Sequence, residues 1–350
     1  MPSILSGTKI GFIDPLEQCF SEGRLERRTG YRWRLNRDHE IMNHIPDQFL
    51  PYKGIFDCTE KVFSEGRYNG TLFRFPLRTM PSQLSQTLYS DHKVEILFGS
   101  LINDAHLLLL FLQHLESIEL YVREESESEP RKIFQVKISD DSLQFVRGKR
   151  REFYNAIKPG QHMPKPVSVT YPITIESANG FEDLMEGSAE RHSFLVTSYC
   201  CGGKVSSQFK ILLTDEELSY LPSVGVAMAM PSGIGLPTPD IQGHVFCVLP
   251  LPVQKKSVTG LPVHVNGFFS LSQNRRHIKT PNADQEEQEK QKKLNDKSLI
   301  WNICLLEEAV PKAYASMIVA AINDRTLSVQ PETVYRCHFI VCVTFSSHYD

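Results

Sequence analysis

Strand-like alternation opens the chain, and helical spacing replaces it from His92 onward. Thr71, Phe73, Phe75 and Leu77 alternate with Leu72, Arg74, Pro76 and Arg78, the period of a half-buried strand. Pro76 predicts an edge or a strand end, because proline cannot donate to a ladder. Val94, Leu97, Phe98, Leu101, Ile102, Ala105, Leu108, Leu109, Leu112 and Leu115 then fall at spacings of three and four, which predicts a long helix. Leu107, Leu110 and Phe111 widen its apolar face. Burial on more than one side is therefore expected, with the helix as a packing spine between two domains and an oligomer interface as the alternative.

Residues 118–121 and 133–138 read as strands on either side of an acidic loop, residues 123–130, whose charge and Pro130 suit exposure. Residues 167–175, 193–199, 208–213 and 224–230 read as further strands. Residues 280–297 are almost wholly polar and predict a mobile insertion or a solvated helix. Helices follow at 299–306 and 311–322, with Pro311 suited to a first helical turn. A last strand is expected at 334–345.

Composition bounds what such a chain can do. Its 350 residues suit one large domain or two ordinary ones, and 41% hydrophobic residues suffice for a real core. A net charge of -3 gives no broad attraction to nucleic acid or anionic membrane. The 8 cysteines are scattered, several within apolar runs such as Val245-Phe246-Cys247-Val248, as reduced core thiols are. A reducing compartment and a cytoplasmic location are expected. The start, MPSILSGTKIGFIDP, has neither a basic region nor a sufficient apolar run for a signal.

The stretch GLPVHVNGFFSLSQNRRHI, residues 260–278, is the most specific in the chain. Val263, Val265 and Phe268 suit a buried strand and its exit. Gly267 is expected to allow a left-handed turn, and Arg275-Arg276 form a cationic tip able to face an anion. This wording resembles the sacsin and Nov-like family of chaperone-related proteins. Four other segments, in the same order, share the resemblance: Ile10 to Pro15 (IGFIDP), Asp47 to Tyr52 (DQFLPY), Asn69 to Arg78 (NGTLFRFPLR) and Gly243 to Pro250 (GHVFCVLP). Together they run from about Ile4 to at least Ala321.

The resemblance implies kinship with the ninety-kilodalton heat-shock chaperones, whose Bergerat-type ATP-binding domain precedes a middle domain. The expected fold is accordingly α+β. Residues 1–80 would be the back half of a Bergerat-type sandwich. Residues 81–117 would be a connecting helix, and 118–350 a middle-type α+β region carrying the insertion at 280–297. Of the family's four nucleotide-binding elements only a late Gly-Thr strand is present, as Gly70-Thr71, where the Thr71 hydroxyl would bond the adenine-reading carboxylate or its water. No Asp-x-Gly-x-Gly turn and no suitable glycine-rich lid occur. The relatives' catalytic arginine position holds Gly267, after Asn266 in place of serine, so Arg275 or Arg276 would have to substitute from further along.

The cofactor-contact candidates are therefore Gly70, Thr71, Arg275 and Arg276. No catalytic residue and no metal ligand is expected, and no cofactor for this chain alone, with ATP and magnesium reserved for a complete protein. The expected function is that of a non-enzymatic chaperone-family module in folding and quality control. The implied partners are the seventy-kilodalton heat-shock chaperone and client proteins, with no nucleic acid and no membrane. The alternative is an ATP-hydrolysing chaperone whose pocket is completed upstream of Met1. Other chemistries read as structure. Cys337, His338 and Cys342 fit an alternating strand without a second ligand pair. Cys200-Cys201 with His192 shows in sequence neither a lowered thiol pKa nor a third orienting group, and a hairpin end is expected there. Gly233-Ile234-Gly235, flanked by prolines, lacks the strand-turn-helix setting of a phosphate loop.

Overall fold

The computed structural model describes residues 1–16, 29–38, 46–157, 163–180, 189–218, 220–231, 242–252, 258–280, 296–323 and 329. Residues 281–295 of the expected insertion at 280–297, the last strand, Cys337-His338-Cys342 and Gly233-Ile234-Gly235 lie outside them. The chain is α+β and forms two compact units, residues 1–101 with 121–132, and residues 102–120 with 133–350.

The first unit is built on four antiparallel strands in the order β3-β2-β1-β4. These are β1 (Ser3–Gly7), β2 (Lys9–Ile13), β3 (Gly30–Arg34) and β4 (Tyr68–Arg74). Leu5, Ile10 and Phe12 face inward and pack on Phe49, Tyr52 and the short helix α1 (Glu60–Glu65). Phe49 meets Phe12 and Phe63 edge-on, each at 5.8 Å between ring centroids. β4 is an edge strand and stops before Pro76, as the proline predicts. Its register puts Leu5 opposite Leu72 and Ile4 opposite Phe73. Because β1 buries Leu5, the inward row of β4 is Leu72, and Phe73 lies on the other face in solvent.

Helix α2 (Asp91–Leu108) starts where the spacing changes. The expectation of burial on several sides fails in its first half, where Ile96, Leu97 and Phe98 are exposed, while Ala105 and Leu107 are buried. The helix ends at Leu108, because Leu109 to Leu112 leave it to pack in turns.

The second unit holds an eight-stranded sheet in the order β11-β10-β12-β9-β8-β7-β6-β5. Its strands are β5 (Ser117–Val122), β6 (Arg131–Ile138), β7 (Val167–Asn179), β8 (Glu190–Cys200), β9 (Ser223–Met230), β10 (Val245–Cys247), β11 (Leu249–Pro250) and β12 (Val263–Gly267). β10 and β12 run parallel. The pleat splits the core in two. Leu195, Val226, Met228 and Val265 point to one layer, and Phe194, Val196, Ala227 and Ala229 to the other. β9 is central and buried along its whole length.

Helix α3 (Asp140–Ala156) covers the second layer with Val146 and Phe153. The sequence reading has no helix here, because α3 is mostly charged and only a narrow row of apolar residues marks its inner face. The visible signal is Ser139-Asp140-Asp141, a helix-start composition. Residues 208–213, expected as a strand, are helix α4 (Ser207–Leu213). The Ser206 hydroxyl accepts from the Phe209 N–H at 3.1 Å, and Phe209 and Leu212 are buried three apart, so the apolar run has helical period. Helices α5 (Lys297–Cys304) and α6 (Val310–Asn323) close the first layer, joined by a wide π-type turn at Leu305–Ala309. Pro311 has no N–H for the helical ladder, and the widened turn just before it suits that loss.

Candidate functional site

Gly70 and Thr71 lie on β4 of the first unit, both exposed. The Thr71 hydroxyl shares a 2.7 Å hydrogen bond with the Ser6 hydroxyl across the β1–β4 pair. This bond ties the hydroxyl to the neighbouring strand. Beside it the outward rings of Phe73 and Phe75 stack nearly parallel at 6.3 Å. From Phe73 to Phe98 the exposed large apolar residues multiply: Leu77, Met80, Leu84, Ile96 and Leu97 join the two phenylalanines.

In the second unit, β12 carries Val263, His264 and Val265 through the core, all buried. At its end Asn266 and Phe268 line a cleft of about 550 Å³. Its floor includes Tyr171, Ser198 and Gly225 from neighbouring strands, and Phe111 and Phe153 belong to its walls. Gly225 makes room for Phe111, since a Cβ there would come within 2.9 Å of that ring. Gly267 is not the left-handed turn expected of it, because it continues the strand. Its lack of a side chain instead admits the Phe269 ring, which a Cβ would meet at 2.8 Å.

The left-handed residue is Arg275, with φ 55°. Its N–H donates to the Ser272 carbonyl at 2.8 Å. Asn274 Oδ1 braces the same turn, accepting from the Ser272 hydroxyl at 2.7 Å and from the Arg276 N–H at 3.1 Å. Both Arg275 and Arg276 are exposed on this tip, away from the cleft lining. Thus the strand delivers Asn266 and Phe268 to the cleft and sends the arginine pair past it.

Comparison with known proteins fits this motif order. A family profile described as Sacsin domain matches residues 1–135. The chain is 37% identical to sacsin of Homo sapiens over 337 residues, which is 92% of this chain. It spans 7% of that relative's length.

One histidine fully buried in the core, His264, is absent from the candidates the sequence offers. His264 is only 2% exposed and its Nδ1 accepts from the His244 N–H at 3.1 Å. Rings of Phe194, Phe246 and His244 surround it at 5.6 to 6.0 Å. Burial, with His244 and His106 nearby, pushes it down to about 3. His106 stacks on His192 at 4.1 Å and is pushed down to about 4, chiefly by burial. His192 is lowered too, by burial, against the opposing pull of Glu190. His264 is a neutral core group at neutral pH, and the half-buried pair His106 and His192 is also held toward the neutral form. The signal for His264 in the sequence is a polar residue inside an apolar strand, Val263-His264-Val265.

The buried thiols behave likewise. Cys200 and Cys201 are free and buried, and burial pushes them up to about 11 and about 12. That direction opposes thiolate chemistry. His192 sits near the opposite end of β8, against Ser177 at 3.3 Å. Among the described residues no group of three or more His, Cys, Asp or Glu could hold a metal ion. No described helix is long and apolar enough to cross a membrane.

Proposed function

We propose that this chain is a non-enzymatic binding module of a chaperone-type protein, holding partly unfolded polypeptide on its sacsin domain. One observation carries the reading. Between Phe73 and Phe98, eight large apolar side chains (Phe73, Phe75, Leu77, Met80, Leu84, Ile96, Leu97 and Phe98) are 45% to 73% exposed. Exposed apolar residues in such density mark interaction surfaces. Edge strand β4 adds unpaired backbone groups beside them, which an extended partner strand can use. Client proteins and the seventy-kilodalton chaperone are the partners this reading favours, in the cytoplasm.

The order of the sacsin-like motifs supports a finer assignment, with the first unit as the back half of a Bergerat-type nucleotide domain. On that assignment Gly70 and Thr71 approach nucleotide only in a longer polypeptide, where Arg275 or Arg276 would serve its phosphates. This chain by itself turns over no ATP, since the adenine turn and lid are absent from its sequence.

The test is light scattering of heat-unfolding citrate synthase with an equimolar amount of this chain. The expected result is suppression by at least half, largely lost in a Phe73→Ser, Phe75→Ser variant whose far-ultraviolet spectrum is unchanged. No suppression, or equal suppression by the variant, refutes the reading.

A further inference from the structure

We propose that the cleft at the end of β12 binds a small amphipathic organic anion, with an aromatic or short aliphatic body and one carboxylate or phosphate. Three independent features meet there. The first is shape and lining: about 550 Å³ is the size of a small-molecule site, and Phe111, Phe153, Tyr171 and Phe268 supply its apolar surface.

The second is charge placed at one end. Arg150 is buried to within 8% and lines both the cleft and an adjoining groove with His114, Arg147 and Arg151. One Arg150 nitrogen, Nη2, donates to the Leu109 carbonyl at 2.7 Å. That bond anchors the guanidinium and leaves its other donors for a ligand, in an orientation fixed in advance. Arg151, exposed beside it, makes no hydrogen bond or ion pair among the described residues. The nearby carboxylates are already committed. Glu116 is bound by Arg147 through Nε and Nη2 at 2.6 and 2.5 Å, and Glu152 by Lys149 at 2.9 Å. The groove therefore keeps a local positive excess in a chain of net charge -3.

The third is strain on the cleft wall. Val248 holds φ 68°, a left-handed backbone that a β-branched residue avoids. Its N–H is pinned to Asn266 Oδ1 at 2.8 Å. Such outliers persist where the surroundings over-determine them, and they cluster at ligand sites. Here both partners of the strained contact line the cleft. The apolar body fits against the aromatic walls and Asn266, and the anion meets Arg150 and Arg151. Burial of the guanidinium away from bulk water strengthens its pairing with an anionic head group.

Isothermal titration of the intact chain with 4-phenylbutyrate, and with its uncharged analogue 4-phenylbutanol, separates the charged end from mere apolar uptake. Saturable binding of the carboxylate is expected, with the alcohol at least tenfold weaker. Arg151→Gln should weaken phenylbutyrate about threefold to tenfold and leave the alcohol unchanged. Arg150→Gln should weaken it more. Amide chemical shifts of Gly225 and Val248 should move on binding in the unsubstituted chain, which keeps the test decisive where Arg150→Gln fails to fold. Equal affinity for acid and alcohol, an unaffected Arg151→Gln variant, or shifts confined to residues 73–98 would overturn the proposal.

Discussion

His264 makes the stability of the second unit depend on mild acid. The ring is held neutral, down to about 3, by a setting of Phe194, Phe246, His244 and His106. In the unfolded chain a histidine titrates near 6.5. Below that value the unfolded state binds a proton that the folded state refuses. Stability contributed by the neutral ring is therefore full above about pH 6.5 and is lost as pH falls toward the folded value. At pH 5 the loss is about 1.5 pH units times 1.36 kcal/mol, or about 2 kcal/mol for His264. His106, held down to about 4, adds a similar loss, about 2 kcal/mol over the same interval. Such a sum is a large share of a typical 5–15 kcal/mol total, roughly. Most carboxylates stay ionised at pH 5, so histidine dominates this window.

Urea unfolding at pH 7.5 and pH 5.0, followed by fluorescence of buried Trp301 in a Trp33→Phe background, measures the effect in this unit. In His264→Asn the amide oxygen can still accept the His244 N–H, while one titration is removed. The fall in unfolding free energy between the two pH values should shrink by about 2 kcal/mol relative to the histidine parent. An identical fall in both proteins would refute the account of His264 as a neutral buried ring.

Two further substitutions test the layer beneath the cleft. Asn302 is fully buried, accepts from the Ser270 N–H at 2.7 Å and donates to the Ser270 and Lys279 carbonyls at 2.8 and 2.9 Å. Asn302→Ala strands those backbone groups and should cost about 3–5 kcal/mol in urea unfolding. Gly267→Ala puts a Cβ at 2.8 Å from the Phe269 ring and should cost about 1–3 kcal/mol by overpacking, a cost that Phe269→Leu in the same chain should relieve.

The parts of the fold legible in the sequence are those where one period dominates. β7 and β8 announce themselves by β-branched and aromatic residues, β9 by an unbroken apolar run, and α6 by its apolar spacing. α3 was invisible because Val146 and Phe153 are too few to outweigh a charged exterior, and a helix buried on one side needs no more. α4 was misread because seven residues do not distinguish alternation from the first turns of a helix, and its decisive element is a single cap, Ser206 to Phe209. Strand β4 was read in the right place, but its inward row is set by Leu5 of β1 across the ladder. A row of phenylalanines thus faces solvent, and no property of β4 alone could have said so.

The site divides in the same way. Sequence order carried the family resemblance, and it singled out the stretch that contains β12. It could not say what β12 points at, because the cleft is assembled from Phe111, Arg150, Gly225 and Asn266, which lie far apart in sequence. Gly267 shows how a sound local inference fails for a tertiary reason. Glycine after asparagine suits a turn, yet the space it vacates is filled by Phe269, two residues on. The turn moves instead to Arg275, where Asn274 braces the backbone. The same packing that keeps Gly267 extended therefore carries the arginine pair beyond the cleft mouth. The cationic residue that does line the cleft is Arg150, on a helix that sequence periodicity did not reveal.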